Sequence, residues 1–283
     1  MNIISGEKIQ LTADLFIGSK HDFNSNPFIY NNKNAPISFD LRQLVADQML
    51  NNPTIIYCHG HYIPILSSYG YRLNNPFILI THNSDYNIID DSVTRNITSN
   101  PKLIKWFGQN VGYKHDKISF IPIGIANRMW PHGRIFDMVE IKMQKPKNNM
   151  VFMNFCIDTN HEKRQNCYNT LVSKNVEFLP NVTCAENLDR MKTYKFCICP
   201  EGNGFDTHRL WEALFFKCIP ILIKNTFSEI VSNTTKLPMI LLNSWDEFDI
   251  SLLPEYSSFD FITSRKYLSL NYYTDNISCL SNA

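Results

Sequence analysis

The sequence predicts an α/β fold built on parallel sheets, and three observations support it. Short apolar runs recur along the chain between polar turn signals. Within each run the residues are continuously apolar, which is typical of parallel strands covered by helices on both faces. The stretches between the runs have helical spacing, and such alternation of strands and helices indicates α/β architecture.

Six runs are the predicted strands, because β-branched and aromatic residues are concentrated in them. In chain order they are Thr54–Cys58, Phe77–Thr81, Ile118–Ile121, Met150–Phe155, Phe196–Cys199 and Ile219–Ile223. Five further stretches place apolar residues at helical spacing. These predicted helices are Leu41–Leu50, Pro101–Asn110, His161–Ser173, Ala185–Met191 and Thr207–Phe216.

The chain of 283 residues is long enough for two domains. A polar, lysine-rich stretch at residues 141–149 interrupts the apolar pattern and is interpreted as a linker. We therefore expect an N-terminal domain over residues 1–140 and a C-terminal domain over residues 150–255. Residues 256–283 contain several Phe and Tyr side chains, and we expect them to form a helical tail that packs back on the N-terminal domain.

Charge and cysteine usage argue against several classes of protein. With 27 basic and 26 acidic residues, the net charge of +1 does not favour electrostatic capture of nucleic acid or of an anionic membrane. None of the eight cysteines forms a CxxC pair, which argues against a zinc ribbon. Neither a basic leader followed by an apolar stretch nor a long apolar run occurs. We therefore expect no signal peptide, no membrane span and a cytoplasmic location.

Residues 195–225 carry the most chemical information. They predict a strand, a loop with Gly202 and Gly204, a helix and a second strand. The glycines allow the backbone to approach a ligand closely, and the free amides at a helix start attract anions. Arg209 adds a cation suited to a diphosphate, and Glu212 can accept hydrogen bonds from a ribose diol. The alternative interpretation is a surface Arg–Glu pair after an ordinary strand-to-helix turn.

The segment CPEGNGFDTHRLWEALFFKCIPIL, residues 199–222, resembles the donor-nucleotide segment of exostosin-like glycosyltransferases. These enzymes form glycosyltransferase family 47 and have viral and bacterial relatives. The similarity extends more thinly over residues 75–225. It implies the GT-B fold, in which two Rossmann-like domains face each other across a cleft. The N-terminal domain would then hold the acceptor, and the C-terminal domain would hold the nucleotide sugar.

The resemblance also implies which parts of the C-terminal domain contact the nucleotide sugar. The implied donor-binding residues are Asn154, Thr159, Asn160, Arg164, Pro200, Glu201, Gly202, Asn203, Gly204, Asp206, Thr207, Arg209 and Glu212. Among them, Arg209, Arg164 and the amides of the helix start would stabilise the leaving nucleotide. For the turn that precedes Arg164, a capped helix with an exposed arginine is the alternative.

An inverting glycosyltransferase needs a general base that deprotonates the acceptor hydroxyl. Polar residues follow two predicted strands of the N-terminal domain, where open α/β sheets bind their ligands. Asp85 is the first candidate for the base and His82 the second, and an Asx-turn role for Asp85 stays open. His59 and His61 are candidates for an alternative base or for acceptor contacts. As zinc ligands these two histidines lack companions at motif spacing.

Together these features predict an inverting, metal-independent transferase that moves a sugar from a UDP-sugar, with xylose favoured, to a glycan hydroxyl. No Asp-x-Asp motif occurs, so neither a metal nor a cofactor is expected. The expected partners are a nucleotide sugar and a glycan or glycoprotein acceptor. The compact sequence is more similar to bacterial or large-virus members, which would place the protein in cytoplasm, that of the host in the case of a virus.

Three other functions stay open. A GDP-sugar fucosyltransferase is the alternative within the same class. A non-catalytic glycan-binding relative would keep the fold without the chemistry. A nucleotide-cofactor oxidoreductase could use the loop at residues 202–207, although Thr207 stands where the last glycine of a G-x-G-x-x-G motif belongs.

Overall fold

The computed structural model of the chain contains two parallel β-sheets, each at the centre of one half of the protein. It describes residues 2–19, 21–22, 54–138, 142–261 and 265–281. The first sheet consists, in spatial order, of β1 (Leu15–Ile17), β2 (Thr54–His59), β3 (Phe77–His82), β4 (Leu103–Gly108) and β5 (Ile118–Phe120). The second consists of β6 (Asn149–Phe152), β7 (Tyr194–Ile198), β8 (Ile219–Ile223) and β9 (Ile240–Leu242). All neighbouring strands pair in parallel.

Helices connect and cover these strands. Those of the first half are α1 (Gly6–Gln10), α2 (Ile63–Tyr69), α3 (Ser92–Thr98) and α4 (Pro131–Arg134). Those of the second half are α5 (His161–Ser173), α6 (Cys184–Met191), α7 (His208–Phe215) and α8 (Thr226–Thr235). A last helix, α9 (Leu270–Ser281), ends the described chain.

The first sheet is buried on both faces, which explains its continuously apolar strands. In β3, Phe77 and Leu79 lie in one apolar cluster, whereas Ile78 and Ile80 lie in another. Successive side chains of a strand point to opposite faces, so the two clusters are the two faces of the sheet. Every residue of β3 is buried.

The strand order follows the chain, and this order decides what covers each face. Right-handed crossovers between consecutive parallel strands place their helices on the same side of a sheet. Accordingly, Leu66 of α2 and Ile97 of α3 pack in the first cluster. The opposite face is covered by the two ends of the described chain, because Ile9 of α1 and Tyr273 and Ile277 of α9 pack in the second cluster.

The two halves share a continuous apolar core. The rings of Phe120, from β5, and Trp211, from α7, are stacked with centroids 6.5 Å apart. Phe136 contacts Phe215 and Phe216 with ring centroids 5.6 and 6.0 Å apart. Close-packed aromatic contacts of this kind oppose movement of one half relative to the other. The carboxyl end of β5 is therefore held against the start of α7.

One predicted helix is wrong. Residues 101–110 do not form a helix, because residues 103–108 form β4, which pairs with β3 and β5. The apolar residues of this segment fit both the spacing of a helix and the alternation of a strand. Trp106 packs in the first cluster and Phe107 in the second, and this packing on both faces of the sheet stabilises the strand. The predicted helix Leu41–Leu50 lies outside the described residues.

The expectation of a GT-B arrangement, with two parallel α/β halves across a cleft, is confirmed. The six predicted strands and three of the predicted helices (His161–Ser173, Ala185–Met191 and Thr207–Phe216) form with small shifts of their ends. Among the described strands, the order in both sheets follows the chain without the reversal of a doubly wound sheet. None of the helices that the structure describes is both long enough and apolar enough to cross a bilayer.

Candidate functional site

Two cavities lie between the halves and share one wall. The arginine cavity, about 400 Å³, contains Arg164 and Arg209 in its lining. The histidine cavity, about 470 Å³, contains His59 and His61. Asp85, Ile123 and His208 line both cavities. Volumes of this size are typical of small-molecule sites, and their shared wall would bring two bound molecules together.

Most residues expected to bind a nucleotide sugar line the arginine cavity. They are Thr159, Arg164, Pro200, Gly202, Asn203, Gly204, Asp206, Thr207, Arg209 and Glu212. They come from two segments, one formed by the turn after β6 and the first turn of α5, and the other by the loop after β7 and the first turns of α7. Both segments follow the carboxyl ends of parallel strands, where open sheets bind ligands.

Arg209 is the central cation of the arginine cavity. Its Nε lies 3.3 Å from Glu212 Oε2, and its guanidinium stacks over the Phe152 ring at 5.3 Å. No described residue accepts a hydrogen bond from its Nε or Nη1 atom, although both are shielded from solvent. Burial acts to lower the pKa of Arg209, but Glu212 and the thiol of Cys197 outweigh it and raise the pKa. The guanidinium is therefore charged and has donors to spare for an anion.

Arg164 supplies a second cation to the same cavity. Its Nε donates to the Glu201 carbonyl at 2.8 Å, and its Nη1 donates to the Cys156 carbonyl at 2.7 Å. Burial, and after it the positive charge of Arg209, lowers the pKa of Arg164. The two guanidinium groups thus repel each other, with Glu212 as the partner of only one of them. A bound dianion would relieve this repulsion.

The start of α7 leaves its amides without a side-chain cap. Thr207 occupies the N-cap position with an extended backbone, but its hydroxyl accepts no capping hydrogen bond. The first amides of a helix carry a partial positive charge. Because Thr207 and His208 line the arginine cavity, this helix end faces it and adds to its affinity for an anion.

The loop that precedes α7 is fixed by the N-terminal half. The backbone nitrogen of Asp206 donates to Asn110 Oδ1 at 2.7 Å, and that of Phe205 donates to Asn87 Oδ1 at 3.2 Å. At Gly204 a Cβ atom would lie 2.6 Å from Asn110 Nδ2. The close approach that requires glycine at this position is therefore to a protein side chain.

Asp206 joins the halves through its side chain as well. Oδ2 accepts from the Ile123 backbone nitrogen at 2.7 Å, and Oδ1 accepts from Trp211 Nε1 at 2.6 Å. Burial raises the pKa of this carboxyl to about 7, against the opposing effect of these hydrogen bonds. Although Asp206 lines the arginine cavity, its oxygens are committed to the protein.

Three of the residues expected to bind the donor lie outside the cavity lining. Asn154 Nδ2 donates to the Leu179 carbonyl at 2.9 Å, and Asn160 Nδ2 donates to the Gly202 carbonyl at 2.7 Å. The Glu201 carboxylate binds Lys163 and Asn225. These three side chains support the loops that form the cavity, and their assignment as direct ligand contacts stays a prediction.

His82 also takes a structural place. It is buried, lines neither cavity, and donates from Nε2 to the Pro122 carbonyl at 2.9 Å. Burial lowers its pKa to about 4. This position favours a structural role for His82 over that of a base, and its assignment as a candidate base stays a prediction.

The histidine cavity holds the other two histidines named from the sequence. The rings of His59 and His61 lie 5.1 Å apart, and His59 Nε2 lies 4.0 Å from Asp22 Oδ1. Burial lowers the pKa of His59, against the effect of Asp22. Trp130, half exposed, forms another part of the lining. Imidazoles beside an aromatic ring can bind the hydroxyls and the apolar face of a sugar.

Asp85 stands where the two cavities meet. It is exposed, and Asn203 Nδ2 donates to its Oδ2 at 3.3 Å. The turn that carries it is held by Gln109 and Asn110, whose side-chain amides both donate to the Ser84 carbonyl at 3.0 Å. A carboxylate in this position can reach a molecule in either cavity.

Sequence reasoning missed eight residues of the arginine cavity. They are Ile123, His132, Phe155, Cys156, Cys184, Asn187, Leu188 and His208. His208 directly precedes Arg209 in the sequence, but its role depends on a contact with Gly124, 84 residues away. In the part of the chain that the structure describes, no group of three or more His, Cys, Asp or Glu side chains is placed to hold a metal ion.

A known protein family matches part of the chain. Residues 125–262 match the family model of the Exostosin GT47 domain. No curated protein sequence matches the chain significantly. Among solved structures, the spinosyn rhamnosyltransferase SpnG is similar at a TM-score of 0.38 with 12% sequence identity. That alignment covers 98% of this chain and 75% of SpnG.

Proposed function

We propose, from the match of residues 125–262 to the family model of the Exostosin GT47 domain, that the chain transfers a sugar from a UDP-sugar to a hydroxyl of a glycan. The proposed reaction inverts the anomeric carbon and needs no divalent cation. The arginine cavity is the proposed donor site and the histidine cavity the proposed acceptor site.

The observation that carries the proposal is the pair of guanidinium groups in the arginine cavity. Arg209 Nε forms an ion pair with Glu212, its shielded Nη1 has no hydrogen-bond acceptor among the described residues, and the charge of Arg209 lowers the pKa of Arg164. An uncapped helix start opens on the same space. Two cations and a helix end can stabilise the charge that develops on a leaving diphosphate.

The acceptor hydroxyl has to meet the anomeric carbon at the wall that the cavities share. Asp85, the first base candidate from the sequence, lies there, and so does His208. His59 and His61 line the histidine cavity but not the arginine cavity, so they suit acceptor contacts better than proton transfer at the junction. The base is therefore proposed to be one of the two side chains on the shared wall.

Assays with a panel of nucleotide sugars test the proposal. Purified protein is incubated in EDTA with UDP-xylose, other UDP-sugars and GDP-fucose, and the released nucleotide is measured with and without a glycan acceptor. We expect release of UDP from one UDP-sugar, stimulated by the acceptor, and a product of inverted anomeric configuration by NMR. Turnover of GDP-fucose alone, or turnover that requires added metal, would contradict the proposal.

A glycan-binding protein without activity is the second candidate. The aromatic and histidine side chains that line the histidine cavity support this candidate, because they can bind a sugar when no nucleotide sugar occupies the arginine cavity. Its signature is glycan binding without any binding of UDP to the arginine cavity.

A further inference from the structure

We infer that His208 is the general base of the reaction, accepting the proton of the acceptor hydroxyl at Nε2. The inference rests on the proposed function and assigns a step within it. His208 is the first residue of α7, in the C-terminal half, and it lines both the donor cavity and the acceptor cavity. A base in this reaction has to lie between the two substrates, and His208 does.

The tautomer of His208 is set by the opposite half of the protein. Nδ1 lies 2.8 Å from the Gly124 carbonyl oxygen, which can only accept a hydrogen bond. Nδ1 therefore carries the hydrogen in the neutral ring, and the lone pair belongs to Nε2. This is the arrangement that a general base needs, with one nitrogen anchored and the other free to take a proton.

The Gly124 carbonyl is itself held in a fixed direction. Gly124 has a φ of +67°, and a Cβ atom there would lie 2.2 Å from the Ile4 carbonyl oxygen. The neighbouring Ile123 nitrogen is bound by Asp206 at 2.7 Å. Ile123 and Gly124 of the N-terminal half thus bind Asp206 and His208 of the C-terminal half. These contacts position the imidazole before substrate binds.

The surroundings of His208 keep its imidazole neutral, so that it can accept a proton. Burial lowers the pKa of His208, and the nearby ring of His132 acts in the same direction. The Gly124 hydrogen bond and the carboxylates of Glu212 and Asp85 act in the opposite direction without restoring the ordinary value. At neutral pH the ring is therefore mostly unprotonated, while Asp85 and Glu212 stabilise the imidazolium once it forms.

The step balances as a single displacement. The Nε2 lone pair takes the hydroxyl proton as the acceptor oxygen forms its bond to the anomeric carbon. The bond from that carbon to the diphosphate oxygen breaks, and its electron pair leaves with the nucleoside diphosphate beside Arg209 and Arg164. The imidazolium then loses its proton to solvent. Asp85 acts through His208 and is a positioning residue in this scheme.

The variant His208→Asn separates the two ring nitrogens. The asparagine Nδ2 replaces Nδ1 as the donor to Gly124, whereas nothing replaces Nε2. We expect kcat to fall by about 100-fold or more, with UDP affinity and melting temperature close to wild type. The wild-type enzyme should lose kcat/KM as the pH falls through the pKa of His208, and the residual activity of His208→Asn should lack this acidic limb.

Two further variants complete the test. Asp85→Asn should keep the acidic limb but move it to lower pH, because removal of a carboxylate makes the imidazolium less stable. His115→Asn, remote from both cavities, should leave the profile unchanged. A His208→Asn enzyme with near wild-type kcat, or loss of the limb in Asp85→Asn alone, would overturn the assignment. Failure of the wild-type protein to bind UDP would overturn the proposed function and this inference with it.

Discussion

Asn110 Oδ1 accepts a 2.7 Å hydrogen bond from the backbone nitrogen of Asp206, and this contact ties the two halves together at the edge of the site. The same amide donates through Nδ2 to the Ser84 carbonyl, in the turn that carries Asp85. One side chain therefore sets the distance between the loop of the donor cavity and the turn of the acceptor side. The cleft is defined by such contacts as well as by the shared apolar core.

Substitution of Gly204 by alanine should disturb this contact. The new Cβ would lie 2.6 Å from Asn110 Nδ2, so the loop or the amide has to shift. We expect a loss of about 1–3 kcal/mol in the free energy of unfolding and weaker UDP binding, measured by urea denaturation and calorimetry. Gly70→Ala is the matched control, since its nearest neighbour would lie 3.9 Å from the Cβ. Equal behaviour of the two variants would contradict the account of the Asn110 contact.

Removal of the Arg209 guanidinium should weaken UDP binding. A charge-assisted hydrogen bond contributes roughly 1.5–3 kcal/mol, so Arg209→Ala should raise the dissociation constant of UDP by about 10-fold or more. Arg209→Lys should restore only part of the affinity, because an ammonium cannot bind two oxygens in a fork. Arg95→Ala, which removes an exposed partner of Asp90, is the control with wild-type affinity expected. Calorimetric titration with UDP gives the answer, and unchanged affinity in Arg209→Ala would refute its role.

The carboxyl of Asp206 should make stability depend on pH. Its pKa in the folded protein is raised by burial to about 7, so the folded state binds the proton more tightly than the unfolded state does. The free energy of unfolding contributed by this group is therefore complete at low pH and is lost as the pH rises towards 7. The slope reaches up to about 1.4 kcal/mol per pH unit.

Asp206→Asn isolates this effect. The amide nitrogen faces an N–H donor, either that of Ile123 or that of Trp211, so the variant should be less stable by about 1–3 kcal/mol. Its stability should also vary less between pH 4 and pH 7 than that of the wild type, in denaturation curves measured at each pH. Asp116→Asn, an exposed change, controls for the loss of one charge. Parallel pH dependences of wild type and Asp206→Asn would argue against the raised pKa.

Trp130 should contribute to acceptor binding. It is 51% exposed, whereas Trp106, Trp211 and Trp245 are buried, so its ring is the available tryptophan surface at the histidine cavity. We expect Trp130→Ala to raise the KM for the glycan about 3- to 10-fold, in line with the roughly 0.5–1.5 kcal/mol of an aromatic contact. The KM for the nucleotide sugar should stay constant. Met138→Ala removes another exposed side chain outside the cavities and serves as control, and a similar KM change there would contradict a specific contact.

Local sequence signals were sufficient where strand, loop and helix are consecutive. The unit from β7 through α7 to β8 follows its predicted order, because each part is specified by its own apolar run or helical stripe. Residues 101–110 were misread because their spacing fits both a helix and a strand, and only the pairing of Trp106 and Phe107 with neighbouring strands decides between them.

The candidate site was less accessible to sequence reasoning for a physical reason. Residue type alone does not show that Arg209 keeps a donor atom without an acceptor in a cavity, whereas the carboxylate of Glu201 is occupied by Lys163 and Asn225. His82 and His208 are both histidines near strand or helix ends. Only their distant partners, the carbonyls of Pro122 and Gly124, and their exposure to the cavities separate a buried structural ring from a candidate base.

The most direct test of the central claim is isothermal titration calorimetry of the wild-type protein with UDP, GDP and NAD in turn, with EDTA present. If the arginine cavity is the donor site of a metal-independent UDP-sugar transferase, UDP will bind saturably with one site per chain, and GDP and NAD will bind much more weakly. Preference for GDP would move the donor to another nucleotide sugar. The absence of any UDP binding would contradict the account.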